Sequence, residues 1–211
     1  MTEAARLWSL GAGPGSTAYE VFDAARRRLN RRLAAYLARA MTGCWSATPR
    51  CLEAGSGPGY CSRLLAQRHV DLRASLLDLD AEPLRLMPAG GPRAVQGDLY
   101  RMPFRDGAFD LVFNFSTMEH LDAFGTAFAE IVRITRPGGK IFVGVPARHS
   151  PFLPAAFLPE SHPVAVWIGR LYDERQLREA CARPDVVVED RRRYFFGCFV
   201  GLLLRRRGTV A

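Results

Sequence analysis

The sequence predicts an α/β fold: a seven-stranded, mostly parallel sheet with helices on both faces, preceded by an N-terminal helix and closed by an antiparallel hairpin. Three observations predict it. Short apolar runs alternate with helical stretches after Pro49, a glycine-rich turn joins the first run to a helix, and two apolar runs end the chain around Gly197. Strand–helix alternation implies right-handed crossovers and a parallel sheet buried on both faces.

The first element is a helix predicted over Thr17 to Met41. Ser16 or Thr17 can cap its start, and Gly43 follows its end. Its apolar residues recur every three or four positions and so form one stripe: Ala18, Phe22, Ala25, Leu29, Leu33, Tyr36 and Ala40. A glycine-rich stretch at 11–15 precedes it, and we interpret this stretch as a flexible lead, because no acidic strand end follows its helix.

The next part of the chain is predicted to hold the core strands and helices. The strands are expected at Arg50–Ala54, Ala74–Leu79, Ala94–Gln96, Phe109–Phe115 and Lys140–Val145, and the helices at Tyr60–Gln67, Glu82–Met87 and Ala123–Thr135. The pair Gly138-Gly139 is expected to end the last of these helices and turn the chain into the fifth strand.

A proline- and aromatic-rich segment, 147–170, is too long for an ordinary connection and is predicted to be a substrate lid. A last helix is expected at Asp173–Cys181, followed by a hairpin of Asp185–Phe195 and Phe199–Arg206. The prediction is a single domain: an N-terminal helical segment over 1–48, a core over 49–146, the insert over 147–170, and the last helix and hairpin over 171–211.

Composition excludes several classes of protein. Of 211 residues, 48% are hydrophobic and 24% charged, which excludes a disordered chain, a fibrous repeat and a polytopic membrane protein. No run approaches the ~18 apolar residues of a membrane span, and the start does not resemble a secretory signal, so a cytoplasmic protein is expected. Five cysteines without CxxC spacing favour reduced thiols and no metal site.

The formal net charge of +8 comes almost entirely from arginine, with Lys140 the only lysine. The arginine triplets do not form one basic face, so we expect no nucleic-acid partner and favour an anionic small substrate instead. A homo-oligomer remains open.

The stretch Glu53-Ala54-Gly55-Ser56-Gly57-Pro58-Gly59 is a strand end that enters a glycine-rich turn. Glycines let a backbone approach a ligand closely. Tyr60 stands where the third glycine of the dinucleotide fingerprint should fall, which argues against a nicotinamide or flavin dehydrogenase. Asp78 ends the second strand, where ribose hydroxyls would lie, and Asp98 follows the third.

These segments follow in the order seen in class I S-adenosylmethionine-dependent methyltransferases, and the chain most resembles the methyltransferase type 11 group, which includes ubiquinone/menaquinone-biosynthesis-like enzymes. The resemblance covers Arg50 to Pro146 and implies a Rossmann-like core. It is carried by Glu53–Gly59, Asp78, Gly97-Asp98-Leu99, Pro103-Phe104, Phe109-Asp110 and Arg136-Pro137-Gly138-Gly139.

The resemblance implies S-adenosylmethionine as cofactor and a role for each matching residue. The methionine part would be surrounded by Glu53, Gly55, Ser56 and Gly57. The ribose would be bound by Asp78, the adenine by Leu79, Asp98 and Leu99, and the methyl end would be lined by Asn114, Phe115 and Ser116. Each role has a structural alternative: turn or capping residues for Asp78 and Asp98, an acceptor for the turn's own amides for Glu53, and a core position for Leu79. Asp110 is predicted to be structural.

Methyl transfer from a sulfonium is an in-line displacement that needs geometry, desolvation and, for weakly acidic acceptors, a base. The candidate catalytic residues are His120, His149 and Tyr19, with Glu119 and His162 as further bases. The acceptor is predicted to be a small molecule, since Asn114-Phe115-Ser116-Thr117 is not the Asn/Asp-Pro-Pro-Tyr pocket of adenine or glutamine methyltransferases. Phe152, Phe157 and Trp167 favour an aromatic or apolar acceptor. O-, N- and C-methylation stay open.

Two alternatives to an enzyme of this class remain. One is a methyltransferase-fold protein that binds without catalysis. The other, disfavoured by Tyr60, is a dinucleotide-dependent oxidoreductase.

Overall fold

Strands and helices alternate along the chain. The computed structural model describes residues 17–85, 87, 90–151, 154, 157–159 and 161–208. The helices are α1 (Thr17–Ala40), α2 (Tyr60–Arg68), α3 (Ala81–Arg85), α4 (Phe124–Ile134), α5 (Pro163–Ile168) and α6 (Glu174–Ala180), with a 3-10 turn at Met118–His120. The strands are β1 (Arg50–Ala54), β2 (Arg73–Asp78), β3 (Arg93–Gln96), β4 (Phe109–Phe115), β5 (Thr135–Pro146), β6 (Val186–Tyr194) and β7 (Phe199–Arg206).

One seven-stranded sheet has the order β3-β2-β1-β4-β5-β7-β6. The first five strands in this order are parallel, and β7 runs antiparallel to both β5 and β6. This confirms the predicted fold class. The strand order reverses between β1 and β4, which are neighbours although they are not consecutive. In an open parallel sheet, such a reversal leaves a crevice beyond the carboxyl ends of the two strands.

The sheet is buried on both faces because its central strands are apolar at consecutive positions. Cys51 and Leu111 lie in a cluster with α1 and α2 residues, whereas Leu52 and Val112 lie in a cluster with α4 residues. Successive side chains of a strand point to opposite faces, so each strand supplies both cores.

Asp110 holds three segments of the chain together by hydrogen bonds at the amino-terminal edge of the sheet. Its carboxylate accepts hydrogen bonds from the Ser46 amide (2.9 Å), the Arg50 amide (2.8 Å) and Arg136 Nε (2.7 Å). Burial alone would raise the pKa of Asp110, but the hydrogen bonds from Arg136, Arg50 and Ser46 outweigh it and hold that pKa below its ordinary value. This geometry is the structural role that the sequence predicts for Asp110.

The expected role of Gly138-Gly139 is wrong. The helix α4 already ends at Ile134, and both glycines lie inside β5. The pairing of β4 with β5 is irregular there, and a Cβ at Gly139 would lie 2.9 Å from the carbonyl oxygens of Arg136 and Asp110. The two glycines therefore permit a bulge within the strand, where two backbones approach closely.

The remaining predictions concern the hairpin turn, the N-terminal residues, membrane-spanning helices and the cysteines. Gly197, at φ +80°, does lie in the turn between β6 and β7. Ser16 and the glycine-rich stretch at 11–15 lie outside the described residues. No described helix is long and apolar enough to cross a bilayer. The five cysteines are free thiols, and the described residues contain no His, Cys, Asp and Glu group that could hold a metal.

Candidate functional site

The glycine-rich loop after β1 is fastened to the end of β2. The amides of Gly55 and Ser56 both donate to the Leu77 carbonyl oxygen, at 2.8 and 3.0 Å. Gly55, Gly57 and Gly59 have φ angles of +72°, +49° and +63°, which residues with a Cβ rarely adopt. This backbone conformation explains why the loop carries three glycines.

The same loop touches the segment that follows β4. A Cβ on Gly55 would lie 2.5 Å from Thr117 Oγ1, and that hydroxyl donates to the Gly55 carbonyl oxygen at 3.0 Å. The carboxyl ends of β1 and β4 are therefore joined at the crevice that the topology creates. The sequence analysis missed Thr117, because the contact joins segments 62 positions apart.

Glu53 is a buried carboxyl group behind this loop. Its Oε2 accepts a hydrogen bond from the Ser62 amide in α2 at 2.9 Å, so its backbone partner lies in the helix beyond the turn. Burial raises the pKa of Glu53 to about 7, although the hydrogen bond from the Ser62 amide opposes the shift. A cation placed beside Glu53 would favour the ionised form and lower this pKa.

Asp78 organises the loop from the end of β2. Its Oδ2 accepts from the Gly57 amide at 2.6 Å and its Oδ1 from the Asp80 amide at 3.0 Å. Burial raises the pKa of Asp78. The turn role left open for Asp78 is thus present, and each carboxylate oxygen still has a second lone pair that can accept a hydroxyl.

The residues predicted for adenine lie at the ends of β2 and β3. Leu79 is 71% exposed, which excludes the alternative of a core side chain. Asp98 is exposed, and its Oδ1 accepts from the Tyr100 amide at 2.8 Å. Leu99 is buried in the core. Leu79 and Asp98 therefore present side chains that a ligand can reach.

The end of β4 combines positioning and open groups. Asn114 is buried; its Nδ2 donates to the Ala54 carbonyl oxygen, and its Oδ1 accepts from the Met118 amide at 3.3 Å, so it fixes the strand ends. The ring of Phe115 packs against that of Phe199, with centroids 5.0 Å apart. Asn114, Phe115 and Ser116 thus begin the segment that lies against the glycine-rich loop.

Ser116, Glu119 and His120 form a polar group beyond β4. Ser116 has φ +57°, and its hydroxyl donates to Glu119 Oε1 at 2.8 Å. Burial raises the pKa of Glu119 to about 8, and its Oε2 has no hydrogen-bond partner among the described residues. His120 Nε2 lies 3.9 Å from Glu119 Oε1, and burial lowers the pKa of His120. A Cβ on Gly169 would lie 2.8 Å from both side chains, so the end of the 147–170 segment contacts both, while the His120 side chain stays 38% exposed.

Tyr194 is a second buried polar side chain that the sequence analysis missed. Its hydroxyl has no hydrogen-bond partner in the described part of the chain. Burial, and to a smaller extent the charge of Glu119, raise its pKa well above the ordinary value. Gly144 and Gly201 leave room for its ring. The pairing of Gly144 on β5 with Gly201 on β7 could have indicated this space for a ring, but recognising it requires the register of the two strands.

The other catalytic candidates have no described contact with the polar group beyond β4, or their side chains lie outside the described residues. His149 is exposed, and its carbonyl oxygen accepts from Arg193. His162 is exposed, and its amide donates to the Pro159 carbonyl oxygen at 2.8 Å. Tyr19 lies in α1, and its side chain is outside the described residues. Of the three predicted catalytic residues, His120 is the one with a described contact to the group beyond β4.

Comparison with known proteins agrees with this geometry. Residues 52–143 match a family described as a methyltransferase domain. Over 159 residues the chain is 32% identical to a "Probable S-adenosylmethionine-dependent methyltransferase" of Mycolicibacterium smegmatis, covering 74% of this chain and 59% of that protein. Residues 52–143 thus match a methyltransferase domain, and the chain is similar to S-adenosylmethionine-dependent methyltransferases. The finer likeness to ubiquinone/menaquinone-biosynthesis enzymes stays a prediction.

Other methyltransferases share parts of the sequence or the fold. A malonyl-[acyl-carrier protein] O-methyltransferase of Pectobacterium atrosepticum is 32% identical over 131 residues, which cover 61% of this chain and 49% of that protein. A solved S-adenosylmethionine-dependent methyltransferase of Thermotoga maritima has a TM-score of 0.63 at 19% identity, covering 89% of this chain and 96% of that chain. The chain thus spans about half to three-fifths of these two curated methyltransferases, and the solved structure shows the shared fold.

Proposed function

We propose that this protein transfers the methyl group of S-adenosylmethionine to a small-molecule acceptor. The observation that carries the proposal is the loop 55–59, whose three glycines have positive φ angles, with the buried carboxyl of Glu53 and the half-buried carboxyl of Asp78 on either side. This arrangement lies at the crevice between β1 and β4, where ligands of open parallel sheets bind.

The donor and acceptor groups present fit the cofactor. S-adenosylmethionine offers an ammonium, a ribose diol and an adenine amino group, and each of these donates hydrogen bonds. Glu53, Asp78 and Asp98 supply carboxylate acceptors at the ends of three adjacent strands, in the same order. The exposed side chain of Leu79 would pack on the adenine ring. Carboxylates suit these donors because charge-assisted hydrogen bonds are the stronger class.

The chain's own residues then supply position and proton transfer. Bound S-adenosylmethionine supplies an activated methyl group, so the chain has to align the acceptor and exclude water. His120 is the proposed base: its lowered pKa leaves the imidazole neutral near pH 7, able to take a proton. Glu119, with a pKa of about 8, stays protonated near pH 7. It would therefore orient the neighbouring groups and would not accept the proton.

The acceptor class is the finer part of the proposal. Several curated relatives are named malonyl-[acyl-carrier protein] O-methyltransferases, and one structural neighbour is a geranyl diphosphate methyltransferase solved with its substrate and sinefungin. These names describe acids and diphosphates as substrates of those proteins. For this chain they support an acceptor that carries negative charge, in line with its net charge of +8.

Calorimetric titration with S-adenosylhomocysteine tests the proposal. We expect Asp78→Asn to weaken binding by about 1–3 kcal/mol, the scale of a hydrogen bond to a charged group. Asp71→Asn is the matched control, because Asp71 is an exposed carboxylate at the opposite end of β2. Equal affinity of the Asp78 variant and the control, or absence of binding by the unaltered protein, would contradict the proposal.

The two alternative functions give different results in the same experiment. A dinucleotide-dependent oxidoreductase would bind NADH in place of S-adenosylhomocysteine. A methyltransferase-fold protein without catalysis would bind S-adenosylhomocysteine but would not transfer a labelled methyl group to any acceptor in a small-molecule extract. Labelled product supports the enzyme.

A further inference from the structure

An open cleft lies between α1 and α2, and its lining residues include none of the carboxyl groups of the proposed cofactor site. Its cavity volume is about 150 Å³. Its lining residues are Arg27, Asn30, Arg31, Tyr60, Arg63, Leu64 and Gln67. Arg27 lies three and four positions from Asn30 and Arg31, and Tyr60 lies three, four and seven positions from the other α2 residues, so each helix contributes one continuous face. We call this the α1–α2 cleft.

Among the described residues, the α1–α2 cleft is lined by arginines and by no carboxylate. Three of its lining side chains are arginines, and none is an aspartate or glutamate. Arg31 and Arg63 form no ion pair within the described residues, and the Arg63 guanidinium lies 5.5 Å from the centre of the Tyr60 ring. Two arginines that face each other across a cleft repel unless an anion lies between them.

The polar residues of the cleft suit a phosphoryl group. The guanidinium group presents several N–H donors in a planar fork that matches phosphate oxygens. Asn30, which makes a contact of its own, is a buried part of the wall, and Gln67 on the facing helix adds an amide group beside the arginines.

We propose that the α1–α2 cleft binds a phosphoryl or diphosphoryl group. Tyr60 belongs to the cleft wall and directly follows Gly59 of the glycine-rich loop, so the cleft begins beside the proposed cofactor site. From Tyr60 to Gln67 it extends about 10 Å along α2, at 1.5 Å per residue. Resting on the proposed function, this makes the acceptor a phosphorylated compound whose anionic group lies apart from the methylated atom.

Calorimetry with pyrophosphate and the full chain tests this proposal. We expect saturable binding at one site, weakened at least about tenfold in the double variant Arg31→Gln/Arg63→Gln. The matched control is Arg28→Gln/Arg68→Gln, which removes the same charge from exposed positions of the same two helices outside the cleft. We expect the control to change affinity by less than about twofold, because surface charges are largely screened.

Three outcomes would overturn the proposal: no saturable binding, equal weakening in both double variants, or displacement of pyrophosphate by S-adenosylhomocysteine. The last would assign the cleft to the cofactor's carboxylate. Should the cleft variant fail to fold, the guanidinium N–H resonances of the unaltered protein still decide, since those of Arg31 and Arg63 should shift on titration and those of Arg28 and Arg68 should not. S-adenosylhomocysteine affinity, measured on the same samples, reports on the proposed function separately.

Discussion

Glu53 and Glu119 are buried carboxyl groups on the two sides of the β1–β4 crevice. Each accepts one hydrogen bond from a nearby serine, from the Ser62 amide and the Ser116 hydroxyl respectively. These contacts do not offset the loss of water, so burial raises the pKa of Glu53 to about 7 and of Glu119 to about 8. Such values in a ligand crevice are typical of functional sites.

Glu53 makes a pH-dependent prediction for cofactor binding. Its ionised form would bind the ammonium of the cofactor, and protonation below pH about 7 would remove that attraction. We therefore expect affinity for S-adenosylhomocysteine to rise between about pH 6 and about pH 8, by up to tenfold per unit below the pKa. Glu53→Gln should bind more weakly and show a flatter profile over that range. Parallel profiles for the variant and the unaltered protein would contradict this role.

Glu119 makes a prediction for stability. Its pKa in the folded protein, about 8, lies above the ordinary value of 4.5, so folding favours the protonated form. The stabilisation is complete below pH about 4.5 and is lost as pH rises to about 8. Glu119→Gln stays neutral throughout. Relative to the unaltered protein, its free energy of unfolding should therefore increase by roughly 3 to 4 kcal/mol between about pH 5 and about pH 8.

Urea unfolding at both pH values measures this difference. Glu53 contributes a pH dependence of the same sign, but it is present in both proteins and cancels in the comparison. A difference that stays constant with pH would mean that Glu119 is not buried in its neutral form.

At the scale of elements, the two ends of the 147–170 segment are hydrogen-bonded to each other. The Arg148 amide donates to the Tyr172 carbonyl oxygen at 2.8 Å, and the Tyr172 amide donates to that of Pro146 at 3.0 Å. Before it closes, the segment returns over Glu119, whose carbonyl oxygen accepts from the Arg170 amide at 3.2 Å. A long segment with a closed base can cover a site without carrying the sheet.

Replacing residues 149–170 by a short glycine–serine turn should separate binding from turnover. We expect S-adenosylhomocysteine affinity to stay within about twofold and methyl transfer to fall by about a hundredfold or more, because water then reaches the buried carboxyl group of Glu119. Circular dichroism checks that the shortened chain folds. Loss of cofactor affinity in a folded protein would place the segment in the cofactor site instead of over the acceptor.

The sequence predicted elements well where local pattern decides them. β1, β4 and β7 have the predicted bounds, because each is an apolar run between turn residues. Gly138-Gly139 misled, since a glycine pair suits both a helix end and a strand bulge, and only the pairing with β4 decides. The acidic strand ends were visible for the same local reason. Thr117 and Tyr194 were not, because their contacts join distant segments.

At the scale of the whole molecule, the sheet topology brings together residues that lie far apart in the sequence. The carboxyl ends of β2, β1 and β4 lie side by side, so Asp78, Glu53 and Ser116 come from three segments of chain to one edge of the sheet. The α1–α2 cleft lies on the flank of that edge through Tyr60. A ligand bound at the edge contacts several strands at once, which couples its binding to the stability of the entire sheet.

This coupling predicts a shift in thermal unfolding. A ligand that binds the folded protein alone stabilises it by about 2.7 kcal/mol at a hundred times its dissociation constant. For a chain of this size that corresponds to a rise in Tm of about 5–10 °C. Differential scanning calorimetry with S-adenosylhomocysteine should show this rise in the unaltered protein and in Asp71→Asn. At the same ligand concentration Asp78→Asn should show a smaller one. An unchanged Tm of the unaltered protein at saturating ligand would mean that the strand ends do not form the binding site.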